Sequence, residues 1–170
     1  SAWSAGAEGE PASQIGSTSS DRDGEFVVDL GSVSRGDDLV YLLATAPGGD
    51  DTTMTATFAA IIPADATAVV LNERTTIAAG YALAQFTGPD GVEGSAPGLP
   101  NAAAMYTNLV DASTGDYGAV LTSAPNGTQT EALPTFTSLT NILSACVVDA
   151  DACRALVDAA SARSDQRSVD

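Results

Sequence analysis

Thr67-Ala-Val-Val-Leu-Asn-Glu-Arg-Thr-Thr-Ile-Ala-Ala-Gly-Tyr-Ala-Leu-Ala-Gln-Phe86 is the stretch on which the reading of this chain turns. It starts β-like and ends helical. Val69, Val70 and Leu71 form a short apolar run rich in β-branched side chains. Asn72 follows as a helix N-cap, its side-chain oxygen placed to meet a free N–H of the first turn. Ile77, Tyr81 and Ala84 fall at i, i+4 and i+7, one stripe of a helix. Thr, Val and Asp dominate upstream of Asn72, and Ala and Leu dominate downstream. The expected fold class is therefore α+β: an antiparallel β part over residues 15–71, then a four-helix part over residues 72–163. Residues 1–14 read as a flexible or docking arm and residues 164–170 as a polar tail.

Composition limits the chemistry. The chain has 170 residues, with 44% hydrophobic content but only 5% aromatic. Its core should be closely packed and poor in large anchors. There are 22 acidic residues against six basic ones, all of them arginine, and no histidine, for a net charge of −16. Phosphate contacts need Lys and Arg, so this balance argues against a nucleic-acid partner. It also disfavours an anionic membrane surface. No apolar run approaches the ~20 residues of a membrane span. Acids spread along the whole chain form a solvated surface, suited to salty surroundings that screen self-repulsion. The start Ser1-Ala2-Trp3-Ser4 fits a chain freed from a signal peptide, and equally a domain of a longer protein.

Residue types alone exclude several reactions. Without His there is no Ser-His-Asp or Cys-His arrangement. Without Lys there is no Ser-Lys pair, Schiff base or lysine isopeptide bond. The P-loop motif is missing too. A carboxylate pair for glycoside hydrolysis needs only acids, but such sites want aromatic walls and the chain has nine aromatics in all. The expectation is that the chain is not an enzyme and needs no cofactor, calcium being the one candidate. The weak calcium candidates are Asp21, Asp23, Asp37, Asp38, Asp50 and Asp51. Asp21-Arg-Asp-Gly24 lacks the oxygen spacing and closing Glu of a calcium loop and reads first as a plain turn, and the other four read first as solvated turn acids, a calcium site between loops being the lesser reading. Asn126-Gly-Thr128 fits the N-glycosylation pattern.

Six residues separate Cys146 from Cys153, and CxxC spacing is absent. In a chain that looks secreted the pair reads as one disulfide, stapling the end of a third helix to the start of a fourth. Two buried free thiols are the alternative. With no His and no other Cys, the usual structural zinc site is excluded.

Along the chain, residues 15–20 read as a strand, Asp21-Arg-Asp-Gly24 as a hairpin turn with Gly24 at positive φ, and residues 25–30 as the return strand. Residues 39–45 are almost continuously apolar and read as a central strand. Residues 52–62 alternate as another. Downstream, a second helix is expected near residues 99–111, with Ala102, Met105, Tyr106 and Leu109 as its stripe. A long irregular connection holds Ser113-Thr-Gly-Asp116. A third helix has Pro134 in its first turn and Phe136, Leu139, Leu143 and Val147 inward. A fourth carries Cys153, Leu156, Val157 and Ala160.

Thr18-Ser-Ser-Asp-Arg-Asp-Gly-Glu-Phe26, the apolar strand after it, and the closing Ala46-Pro-Gly resemble the carboxypeptidase regulatory-like domains, which are transthyretin-like β-sandwiches of secreted proteins. The match spans roughly residues 14–49 and departs from the family in showing no opening strand before Gln14. The helical part, through Ala79-Gly-Tyr-Ala-Leu-Ala-Gln-Phe86 to the cysteines, resembles an uncharacterised region of secreted bacterial multidomain proteins. The resemblance implies an extracellular or cell-surface location and a sandwich that is either incomplete or completed by a strand from another segment. Trp3, the single tryptophan, is the candidate assembly anchor, with the arm docking on the next subunit to build a fibre. The expected partners are copies of this chain or neighbouring domains of the same protein. The alternative function is an accessory carbohydrate- or calcium-binding domain of a secreted enzyme.

Overall fold

A computed structural model of the chain describes residues 1–7, 9–33, 38–47, 55–149, 151, 153–155, 157 and 158. The element order is β1 (Ala2–Ser4), β2 (Ser13–Gly16), β3 (Val40–Pro47), β4 (Thr55–Ile62), α1 (Glu73–Leu83), β5 (Thr87–Gly88), β6 (Gly91–Val92), α2 (Gly98–Leu109), α3 (Ala119–Thr122) and α4 (Ala132–Val148). The class is α+β, as expected. One antiparallel sheet has the order β2-β1-β3-β4, and β5 and β6 form a small hairpin.

The sheet differs from expectation at its centre. The arm does not project: β1 lies inside the sheet, pairing Ala2 with Gly16 on one side and with Leu42 on the other. Trp3 sits opposite Tyr41, half-buried against the helical side of the sheet. Its indole N–H donates to Ser1 Oγ at 2.9 Å, and the Ser1 amine donates to the Leu43 carbonyl at 2.8 Å. β1 is thus an inner strand of the chain's own sheet, and Trp3 packs within the chain. Small polar residues hid this strand. Two flanking strands satisfy its backbone, so its side chains need not be strongly apolar. Ala5, Gly6 and Ala12 are held as well, Ala12 by the Asp90 carbonyl. Ala5 N–H donates to Leu39 O, and Gly6 N–H donates to Val92 O, each at 2.9 Å.

β3 and β4 pair from Val40–Ile62 to Pro47–Thr55. Successive side chains alternate between faces. Tyr41, Leu43, Ala59 and Ile61 turn to a helical layer with Ala78, Ala79, Ala82 and Leu83 of α1, and Leu99, Ala102 and Tyr106 of α2. Ala2, Val40, Leu42 and Ile62 form a second cluster on the outer face.

The outer layer is where the sandwich is incomplete. Residues 25–30 and 67–71, expected as strands, join no ladder. They run extended over the outer face and drop Phe26, Val28, Leu30, Val69 and Leu71 onto it. β2 stops at Gly16 because the crossing chain comes close. A Cβ there would stand 2.4 Å from the Asp29 carbonyl oxygen. The turn at Asp21 forms, but it joins no hairpin, because residues 17–20 and 25–30 pair in no ladder: Gly24 has φ 83°, and Asp21 Oδ1 accepts the N–H groups of Asp23 and Glu25 at 2.9 and 3.0 Å.

The helix expectations hold in place better than in facing. α1 buries Thr75, Ala78, Ala79, Ala82 and Leu83, while Tyr81 is 64% exposed and Ala84 lies outside. Helix and sheet approach closely, so small side chains take the contact and the bulky ring turns out. α2 buries Leu99, Ala102 and Tyr106. α4 begins two residues before Pro134 and buries Phe136 and Thr140, leaving Leu139 exposed and Leu143 and Val147 half-buried. Residues 151, 153–155, 157 and 158 are helical after a break at Asp149. Leu156 and Ala160 lie outside the described residues.

Because Ala2 is wholly buried, Ala2→Asp places an unpaired carboxylate inside the sheet. We expect it to cost more than ~3 kcal/mol. Thermal melts followed by circular dichroism check this, and an unchanged midpoint would show that β1 carries no structural weight.

Candidate functional site

Three clusters merit attention. The first is built on the N-terminal end of α1. Asn72 accepts the Thr75 N–H at 3.0 Å, and Thr75 Oγ1 accepts the Asn72 N–H at 2.9 Å, a reciprocal capping box. Asn72 Nδ2 donates to the Gly115 carbonyl at 3.0 Å, drawing in the 111–117 loop. Arg74 bridges Asp116 at 3.2 Å and lies over the Tyr117 ring, 4.7 Å from its centroid. The Tyr117 hydroxyl shares a 3.1 Å hydrogen bond with Thr137 of α4, and its ring meets Phe136 edge-on at 6.0 Å. The hydrogen bond to Thr137 favours the charged phenolate and pulls the Tyr117 pKa down. Hydrogen bonds from the Ser113 side chain and backbone hold the Asp111 carboxyl below its ordinary range. Each polar partner here serves a turn, a cap or an ion pair, so the cluster is a structural knot. In the sequence Ser113-Thr-Gly-Asp116 belongs to the long irregular connection over residues 112–133. Its docking on Asn72 carries no local signal.

The second cluster is the cysteine pair. Cys146, near the end of α4, and Cys153, in the helical residues beyond it, are half-buried free thiols. They face each other. Burial and the hydrogen bond to Cys153 push the Cys146 thiol up to about 11. The Asp149 carbonyl accepts the Cys153 N–H at 3.1 Å, which fixes the short connection between them.

The third is a groove on the outer face of the sheet. Residues 25–30 and 66–71 wall it, and Leu42, Ala44, Phe58 and Ile62 form its floor. It holds about 1000 Å³ and is open to solvent. A smaller hollow of about 400 Å³ adjoins it beside Ser1, Ser17 and Leu43. At one end Leu42 and Ile62 are covered; at the other Ala44 is exposed and Phe58 half-buried.

Among the described residues the calcium candidates form no cluster. Asp21 Oδ1 is occupied by backbone N–H groups of its own turn, and Asp23 and Asp38 are exposed. Asp37, Asp50 and Asp51 lie outside the described residues. Among the described residues no group of three or more His, Cys, Asp or Glu side chains is placed to hold a metal ion. Among them, too, no helix is long and apolar enough to cross a membrane. Tyr106 is fully buried, and desolvation raises its pKa and holds it neutral. No family model matches the chain, and no curated protein or solved structure matches it either.

Two expectations follow from these clusters. Gly115 has φ +70°, and a Cβ on it would stand 2.4 Å from Asn72 Nδ2. Gly115→Ala should therefore lower stability by about 1–3 kcal/mol, and Asn72→Ala by ~1 kcal/mol or more from the lost cap. Because both act on one contact, the double variant should lose less than the sum in urea denaturation; strict additivity would separate the loop from the cap. For the thiols, mild oxidation should join Cys146 to Cys153. Mass spectrometry after alkylation without reductant checks this: two labelled cysteines would show that the pair stays reduced.

Proposed function

We propose that this chain is a non-enzymatic structural module of an extracellular or cell-surface assembly, and that its copies pack through the outer face of α4. The exposed apolar side of that helix carries the reading. Leu139 and Ile142, three residues apart on one side of the 17-residue helix, are 41% and 39% exposed. α4 uses Phe136 and Thr140 to pack inward and leaves this apolar pair partly open to solvent. Contiguous apolar surface on a folded chain marks contact with another protein.

The setting follows from composition. A lysine-free surface with net charge −16 is at home in salt. The paired cysteines suit an oxidising compartment, and the resemblance of residues 14–49 to carboxypeptidase regulatory-like domains points to secreted proteins. Nucleic acid is not a partner under this reading, because too few cations are available for phosphate. Under this reading the copies join through α4 and not through the arm, whose β1 pairs within its own sheet.

Self-association of so acidic a chain needs screening, so particle mass should rise between ~0.1 M and ~1 M salt. Light scattering at micromolar protein tests this. The double variant Leu139→Asp with Ile142→Asp should stay monomeric at every salt concentration while melting like the parent. A parent that is monomeric throughout, or a variant that assembles equally well, would overturn the proposal.

A further inference from the structure

We infer that the outer groove is an acceptor site for an extended peptide from another protein, apolar at alternate positions and carrying lysine or arginine. This goes beyond the packing of α4 and concerns a different face of the molecule.

The walls are the first ground. Residues 25–30 alternate strictly: Phe26, Val28 and Leu30 are half-buried, and Glu25, Val27 and Asp29 are exposed, Val27 at 89%. That is the pattern of a strand resting on a sheet. Across the groove, residues 66–71 send Val69 and Leu71 to the same floor. Neither stretch belongs to a ladder. Within residues 67–71, Val70 N–H donates to the Ala112 carbonyl, which belongs to neither wall of the groove, at 2.8 Å. Strand-like chain without a strand partner invites pairing from outside. In such additions main-chain hydrogen bonds give affinity and alternate side-chain pockets give selectivity.

The floor is the second ground. Leu42, Ala44, Phe58 and Ile62 lie on the face that a completed sandwich would cover, and the exposure of Ala44 marks where cover is lacking. Apolar side chains at alternate positions of an entering strand would point at this floor. The ones between would point to solvent.

Charge selects the occupant. The charged side chains lining the groove, Asp21 and Glu25, are both carboxylates, and the adjoining hollow has no charged side chain. The molecule around them carries net charge −16. A second copy of this chain brings the same acidity, whereas a cationic strand is drawn to the mouth.

The probe is a fluorescent nine-residue peptide of alternating valine and threonine with lysine at each end. Its counterparts carry glutamate at each end, or proline at the centre. Fluorescence anisotropy with the full chain at low salt should show saturable binding of the lysine-ended peptide, about tenfold tighter than the glutamate-ended one. The proline peptide should not bind, because it cannot complete a ladder. Ala44→Arg fills the exposed end of the floor and should abolish binding without changing the melt. Glu25→Lys alters only the mouth and should weaken binding about fivefold. No binding of the lysine-ended peptide, equal binding of the glutamate- or proline-containing peptide, or unchanged binding by Ala44→Arg would each overturn the inference. So would release of a second copy from the groove by the peptide in sedimentation. A monomeric parent protein would refute packing through α4 and leave this result standing, so the two proposals fail separately.

Discussion

The reciprocal hydrogen bonds between Asn72 and Thr75 are the contact on which the rest of this molecule depends. They start α1 at a fixed residue and set the direction in which it leaves the sheet. The next residue extends the joint. Thr76 Oγ1 donates to the Asn72 carbonyl at 2.7 Å and accepts the Ala59 N–H of β4 at 3.0 Å. β4 is an edge strand, and α1 satisfies a donor there that would otherwise face outward. The Asn72 amide then holds Gly115, which brings in Asp116 and Tyr117, and Tyr117 reaches α4. Sheet, first helix, loop and last helix meet within a few residues. A core built from alanine has few large side chains to define its geometry, so directional hydrogen bonds take over that task.

The two faces of the sheet are finished in different ways. On the helical side, Ala78, Ala79 and Ala82 let α1 settle close to β4, and Tyr41, Leu99 and Tyr106 supply the bulk. On the outer side the cover is extended chain without a second ladder. That difference concentrates open apolar surface and unpaired strand-like backbone on one face. A knotted, hydrogen-bonded half thus stands beside a half whose cover is incomplete. The exposed Leu139 and Ile142 of α4 lie on a separate element.

Acidity shapes both surfaces. With 22 acids and six arginines, like charges repel wherever two copies approach at low ionic strength. Apolar contact through α4 then competes with repulsion, and salt shifts the balance. The groove faces the opposite situation, because its carboxylates favour a cationic visitor. Salt should therefore strengthen one contact and weaken the other, a consequence of charge sign alone.

Local signals in the sequence set a good part of this structure. Asn72 as a cap, the Asp21 turn, the positive φ of Gly24 and the first-turn Pro134 all rest on hydrogen bonds or torsions spanning a few residues, and each appears where it was read. The absence of His and Lys removed whole classes of chemistry before any folding was considered. Tertiary structure decided what depends on distant partners. Ala2–Ser4 became an inner strand only because Gly16 and Leu42 stand on either side of it. Residues 25–30 carry a strand's alternation yet remain outside the sheet, since alternation records burial on one side and says nothing of a neighbour for the backbone. Tyr81 faces solvent because the distance between α1 and β4 leaves room for alanine and not for a ring. The groove exists for the same reason: no single stretch encodes it, and it appears only when two strand-like segments come to rest apart on one sheet.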